Sequence, residues 1–314
     1  MEKGNPEAGV TPGFQAVGDQ GKGESGRAIP AFERVAILGL GQMGGSFALA
    51  ARQRELGRFF SGFSRSPETR AEAVRRGLVD EAPDRVEVCV EGASLVYLAA
   101  PVRSIESLLR QIRGHLSAGV LLTDTGSTKV EIVRDVETLG LSASFVGGHP
   151  MCGTERAGLE AADAHLFEGA TYVLTPTAST PPARLAQARQ MVTALGSRVL
   201  ELSPELHDRA VAAISHLPHV LAHALLLLAG QRQAAGEPVF ELAAGSFRSG
   251  TRVAGSNPQM WSDIFASNRT EVLRALDEIL ALLYRLRAEI AADDLAALQA
   301  TLEEARALQE KVRR

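Results

Sequence analysis

Residues 34–53 read RVAILGLGQMGGSFALAARQ, and the fold turns on how this stretch is read. An apolar run ends in GLGQMGG (39–45) and is followed at once by a helical, alanine-rich segment. The spacing of Gly39, Gly41 and Gly44 is G-x-G-x-x-G, at a strand-to-helix junction. Gly39 suits a tight turn, Gly41 lets backbone approach a pyrophosphate, and Gly44 lets the helix lie close to the strand. The free N–H groups and positive dipole end of the helix then face the phosphates. Gln42 and Met43, inside the cradle, are grouped with the cofactor-binding residues.

Working outward, apolar β-type runs alternate with helical patterns: 34–41, 59–64, 95–100, 120–125, 144–148, 171–176 and 198–202. Several are apolar without alternation, as in strands covered by helices on both faces. The expected fold is an α/β Rossmann-type doubly wound, mostly parallel sheet over 34–202. Ser203 and Pro204 make a good helix start, with serine as N-cap and proline at the first helical position. Beyond them the strands stop. Val272, Leu276, Ile279, Leu283, Leu286 and Ile290 recur at spacings of four and three, which predicts a packed helical seam with Asn268 as its cap. Residues 203–314 are therefore expected to form an all-helical domain. Residues 1–33 carry no apolar run and read as a disordered leader.

Composition narrows the function. A formal charge of −4 provides no global basic field for nucleic acid or anionic lipid, so an anionic substrate must meet locally placed cations. Two cysteines, Cys89 and Cys152, make no disulfide framework, which fits a reducing, cytoplasmic setting. The most apolar stretch, 220–229, is about half the ~20 residues of a membrane span and is read as a buried helix. After the second strand, where an acidic residue usually meets the ribose 2′-hydroxyl, the chain reads GFSRS (62–66). Ser64 and Arg65 there remove repulsion toward a 2′-phosphate and offer it a partner, so NADP is expected to be accepted, with NAD not excluded.

GGHPMCGTERAG (147–158) is dense in reactive side chains and by itself fits a catalytic centre, a metal site or a glycine-rich turn. It follows GLGQMGGS, LAAPV (98–102) and TDTGSTK (123–129), and precedes SHLPH (215–219) and FRSGTRVAGSNPQMW (247–261). In this order and spacing the chain resembles the prephenate/arogenate dehydrogenases of tyrosine biosynthesis, from Arg34 to the last helices. The resemblance implies a Rossmann domain joined to a helical domain that dimerises. It also implies hydride transfer from the ring carbinol of prephenate to NAD(P), with loss of carbon dioxide. No chorismate mutase segment or regulatory module is evident, so a monofunctional enzyme is expected.

The resemblance also assigns residues. His149 matches the catalytic histidine, and a neutral imidazole suits the removal of a hydroxyl proton near pH 7. Ser127 matches a serine that orients the histidine–substrate pair. Arg252 matches a substrate-binding arginine, whose planar fork suits a carboxylate, with Arg248 as a second candidate cation. Glu155 matches an acidic residue at the mouth of the site. His219 is placed against substrate and His216 along the lining, while Ala100 joins the cofactor set. His216, His219 and His223 have helical metal-ligand spacing, but Pro218 interrupts them and no metal is expected. Cys152 is read as a bystander, because hydride transfer needs no covalent step. Trp261 and Met260 are read as interface packing. Arogenate is the alternative substrate, and a non-catalytic dinucleotide-binding regulator is the alternative class.

Overall fold

The computed structural model describes residues 32–154 and 156–312. The leader expectation therefore falls outside the described residues, except that Phe32 and Glu33 already belong to the first strand. Strands β1 (Phe32–Leu38), β2 (Gly57–Phe63), β3 (Leu95–Leu98), β4 (Leu121–Asp124), β5 (Phe145–Pro150), β6 (Thr171–Thr175) and β7 (Arg198–Glu201) form one sheet, in the order 2-1-3-4-5-6-7. All seven expected runs contain a strand. The reversal of order between β2-β1 and β3 creates the crevice above the first strand where ligands of such sheets bind.

Neighbours are parallel except β5 and β6, which are antiparallel with His149 opposite Val173. Among the described residues, the segment joining β5 to β6 carries a short 3₁₀ turn (Leu159–Ala161) instead of a crossover helix, and the chain returns beside itself. Along β1, Val35 and Ile37 enter one buried core while Ala36 and Leu38 enter the other. The period-two alternation thus feeds two apolar layers, each covered by helices. These helices are α1 (Gln42–Gln53), α2 (Pro67–Arg75), α3 (Val86–Val90), α4 (Ile105–Ile112), α5 (Val130–Thr138) and α6 (Pro182–Ala194).

Ser203 caps α7 (Pro204–Val211) by accepting from Leu206 N–H at 3.2 Å. A π-helical turn (Ala212–His216) leads directly into α8 (Leu217–Ala234), followed by α9 (Gly245–Thr251), α10 (Pro258–Ser267), α11 (Arg269–Ala291) and α12 (Leu295–Val312). The run Pro204–Ala234 is thus one continuous helix, long and apolar enough by composition to cross a membrane. It also carries His207, Asp208, His216 and His219 buried against the rest of the chain, which ties it to the site below.

Two expectations need correction. Helix α8 is not a buried helix: only His219 and Ala222 are buried on it, while Leu225, Leu227 and Leu228 stand exposed. The helical core within one chain is small, built from Ala212, Val272 and Ala275, and it cannot cover so long an apolar face. The α11 seam likewise packs at Val272 and Ala275 but leaves Leu283 and Ile290 exposed. Asn268 does precede α11, yet its side chain makes no cap. It donates instead to the Asp208 carbonyl at 2.7 Å.

Candidate active site

The glycine cradle has the geometry that its spacing implies. Gly39 sits at φ +112°, and a Cβ there would lie 2.4 Å from the Ala99 carbonyl oxygen. A Cβ on Gly44 would lie 1.8 Å from the Gly39 carbonyl oxygen, so helix and turn touch backbone to backbone. Gly41 has nothing within 4 Å of its would-be Cβ, and no side chain caps α1. Open space, uncapped N–H groups and a dipole end therefore coincide, as a pyrophosphate requires. Gln42 is engaged differently from expectation: its amide donates to Thr154 Oγ1 at 2.7 Å and accepts from Thr154 N–H at 3.2 Å. Its side chain clamps the loop after β5 over the cradle. Met43 packs against the adjoining core, and Ala100 lies half-buried just beyond β3.

At the end of β2, Ser64 is half-buried and Arg65 exposed. Arg70, in the first turn of α2, donates to the carbonyls of Ser64 at 2.7 Å and Arg65 at 3.4 Å. This third polar group gave no signal in the sequence, because it reaches the turn by folding back from the next helix.

His149 lies at the carboxyl end of β5, half-buried, on a support tied to both domains. Beneath it, fully buried Lys129 pairs with Asp124 and donates to the Gly148 carbonyl at 2.8 Å. Asp124 in turn accepts from Gly148 N–H at 3.0 Å and Gly126 N–H at 2.7 Å. From the helical domain, His207 Nε2 meets His149 Nδ1 at 2.8 Å, and His207 Nδ1 meets Asp208 Oδ1 at 2.8 Å. Asp208 also accepts from the N–H groups of Lys129 at 2.7 Å and Val130 at 2.9 Å. Burial foremost, then the fields of His207, Lys129 and His216, hold His149 well below the ordinary imidazole range. It is therefore neutral at pH 7 and able to accept a proton. Ser127 is half-buried in the loop between β4 and α5, and the hydrogen bond of His149 goes to His207.

The other predicted histidines join this network from the π-helical turn, which carries His216, and from α8, which carries His219. Asn268 lies 3.3 Å from His216 Nδ1 while donating to Asp208. His216 packs edge-on against Trp261, and His219 stacks on the same indole with centroids 3.4 Å apart. Burial pushes both down to about 4. His219 Nδ1 and Trp261 Nε1 are buried and have no hydrogen-bond partner among the described residues. His223 instead pairs its Nδ1 with the His219 carbonyl at 2.7 Å. Trp261 is buried, as expected of packing, whereas Met260 is exposed. Cys152 packs beside the core, and burial pushes its thiol up to about 11, far from a thiolate at neutral pH. Arg252 is exposed on a short 3₁₀ turn (Arg252–Gly255) that packs beside α8. Glu155 lies outside the described residues.

Sequence reasoning missed His207, Asp208, Lys129 and the role of Asn268. The available signal was weak: a His-Asp pair one turn after Ser-Pro, and a lysine ending TDTGSTK.

A dinucleotide cradle and a neutral imidazole at the same sheet edge, faced by a helical domain, define a nicotinamide-dependent dehydrogenase of the Rossmann class. Known proteins make this narrower. Residues 47–201 match the nucleotide-binding domain of prephenate dehydrogenase, and residues 203–304 match its dimerization domain. The chain belongs to the prephenate dehydrogenase family. It is 35% identical to a cyclohexadienyl dehydrogenase from Zymomonas mobilis, over 84% of this chain and 90% of that one. Among solved structures it is similar to a prephenate dehydrogenase from Aquifex aeolicus in complex with hydroxyphenyl propionate and NAD+. That similarity has a TM-score of 0.85 and 34% identity, over 89% of this chain and 98% of the other. An arogenate dehydrogenase from Synechocystis gives a TM-score of 0.77 and 32% identity, over 89% and 99% of the two chains.

Proposed function

We propose that this chain catalyses the oxidative decarboxylation of prephenate to 4-hydroxyphenylpyruvate, in tyrosine biosynthesis, as a cytoplasmic homodimer. Residues 34–202 hold the cofactor, and residues 203–314 meet the substrate and the second subunit. The observation carrying this reading is the neutral His149, held at the cofactor edge of the sheet by polar groups from both domains.

The nicotinamide, when bound, supplies the hydride acceptor. His149 takes the proton of the ring hydroxyl through Nε2, which makes no hydrogen bond among the described residues. Removing that proton favours carbonyl character at the carbinol carbon and so drives hydride departure. The electron pair freed by loss of carbon dioxide then enters the dienone and completes the aromatic ring. Ser127 orients the substrate beside His149, and Arg252 receives a substrate carboxylate in its planar fork. His219 contacts substrate from its stacked position on Trp261, with His216 lining the same wall. Glu155 guards the mouth. Ser64 and Arg65 receive the 2′-phosphate of NADP, and NAD is also accommodated because the Ser64 hydroxyl can bond a ribose hydroxyl.

Purified protein, offered prephenate or arogenate with NAD or NADP, tests this by the appearance of reduced nicotinamide. Turnover of prephenate is expected with either cofactor, and His149→Asn is expected to lose about 10²–10⁴ in turnover. Turnover of arogenate alone would transfer the same chemistry to that substrate. No reduction in any of the four pairings would refute the reading.

A further inference from the structure

The hydrogen bonds around His149 form a directed chain, and its direction can be read from one end. Asp208 Oδ1 accepts the Lys129 N–H and Oδ2 accepts the Val130 N–H, so the carboxylate acts as an acceptor on both oxygens. The His207 nitrogen facing it, Nδ1 at 2.8 Å, must then be the one that carries hydrogen. His207 is wholly buried, and burial holds it below its ordinary range against the opposing pull of Asp208, so the ring is neutral. Its Nε2 is therefore a bare acceptor. Across the next 2.8 Å contact, His149 Nδ1 must be the donor. A neutral His149 with hydrogen on Nδ1 has its lone pair on Nε2.

We propose that His207 and Asp208 are positioning residues that hold His149 in its Nδ1–H tautomer, leaving Nε2 bare to receive the substrate's hydroxyl proton. This rests on the reading of His149 as the proton acceptor. The other tautomer would point an N–H at the substrate oxygen and could not take its proton. Free histidine side chains favour that other, Nε2–H form, so something must select against it. The buried carboxylate does so through His207. Its geometry is rigid, because Asp208 is fixed by two backbone donors and by Asn268 holding its carbonyl at 2.7 Å.

The test uses the full chain in two parallel measurements. In ¹⁵N-histidine-labelled protein, nitrogen NMR reads which ring nitrogen of His149 is protonated, with His149→Asn assigning the signal. Wild type is expected to show Nδ1–H, and His207→Leu, which offers no acceptor, is expected to move toward Nε2–H. In steady-state kinetics His207→Leu should lower kcat by about 10²-fold or more, within the range of general-base contributions, while KM for prephenate changes by less than about 3-fold. His207→Gln keeps an amide oxygen near the lost Nε2 and should recover about tenfold of kcat. A merely structural His207 would give no rescue tied to that oxygen and no tautomer change. An Nε2–H signal in wild type overturns the proposal whether or not the variants fold. So does a His207→Leu enzyme with kcat within about 3-fold of wild type. If instead His149→Asn keeps full turnover while wild type shows Nδ1–H, the proton-acceptor reading fails and the hydrogen-bond chain stands without a catalytic role, which also overturns the proposal.

Discussion

Two alanine substitutions three positions apart at the same helix start should fail in opposite ways. At Gly44 the added Cβ would lie 1.8 Å from the Gly39 carbonyl oxygen, 3.0 Å from its carbon and 3.1 Å from Ile37 Cγ2. Contacts under 3.0 Å to backbone are not tolerated, so the turn must move by about 1.2 Å. No flexible side chain can absorb that movement. Overpacking of this kind costs about 1–3 kcal/mol, and more when backbone is the obstacle. Thermal unfolding of Gly44→Ala should begin roughly 5–10 °C early, with cofactor affinity falling because the cradle is distorted. At Gly41 the backbone is extended and the would-be Cβ meets nothing within 4 Å. Gly41→Ala should therefore keep the wild-type melting temperature to within roughly 2 °C, or gain slightly from a stiffer unfolded chain. The new methyl group would occupy the space left for the pyrophosphate, and the dissociation constant for NAD(P) should rise at least about tenfold, equivalent to ~1.4 kcal/mol. Scanning calorimetry and titration of the Trp261 fluorescence measure the two quantities separately. A Gly41→Ala protein that binds cofactor like wild type would remove this loop as the phosphate site.

Other consequences follow from the buried groups. Lys129→Met leaves Asp124 buried with two N–H donors and no cation, which should cost about 3–5 kcal/mol by chemical denaturation; an unchanged midpoint would mean the pair is not structural. Burial lowers His216 from 6.5 to about 4, so the unfolded chain binds that proton first as pH falls. The stabilisation is complete above pH 6.5 and is lost toward pH 4, by roughly 3 kcal/mol at ~1.4 kcal/mol per pH unit. His216→Gln should flatten the fall of stability over that window, and an unaltered slope would contradict the assignment. Leu227, 68% exposed on α8, belongs to the face proposed to meet a second subunit. Leu227→Glu should shift sedimentation from dimer to monomer, since a buried leucine contributes about 1.5–3 kcal/mol.

Every strand among the described residues and the close-packed glycine turn were legible because their signals are local: apolar runs of strand length, glycines at fixed spacing, Ser-Pro at a helix start. The α8 face was misjudged because apolar periodicity states that a surface will be covered without stating what covers it. His149 was visible through its neighbours in sequence, whereas the groups acting on it were not. His207 is 58 residues away and Asp208 is 79 residues from Lys129, and no local pattern marks a contact across that distance.

Asp208 shows why these distant contacts matter together. Helix α5 starts at Lys129 with no side-chain cap from its own segment. The cap comes from the helical domain, through the Asp208 oxygens on the N–H groups of Lys129 and Val130. The Lys129 side chain points the other way, joining Asp124 on β4 to the Gly148 carbonyl on β5, one residue before His149. Thr128 adds a second tie across the domains, 2.9 Å from Ser267 Oγ. The carboxylate that sets the direction of the imidazole chain is thus also a fastening between the domains, and the strand carrying the imidazole is braced by the residue it fastens. Any change that loosens the docking of α7 on α5 should disturb His149 before it disturbs the cradle, whose glycines contact β1, the end of β2 and the turn after β3.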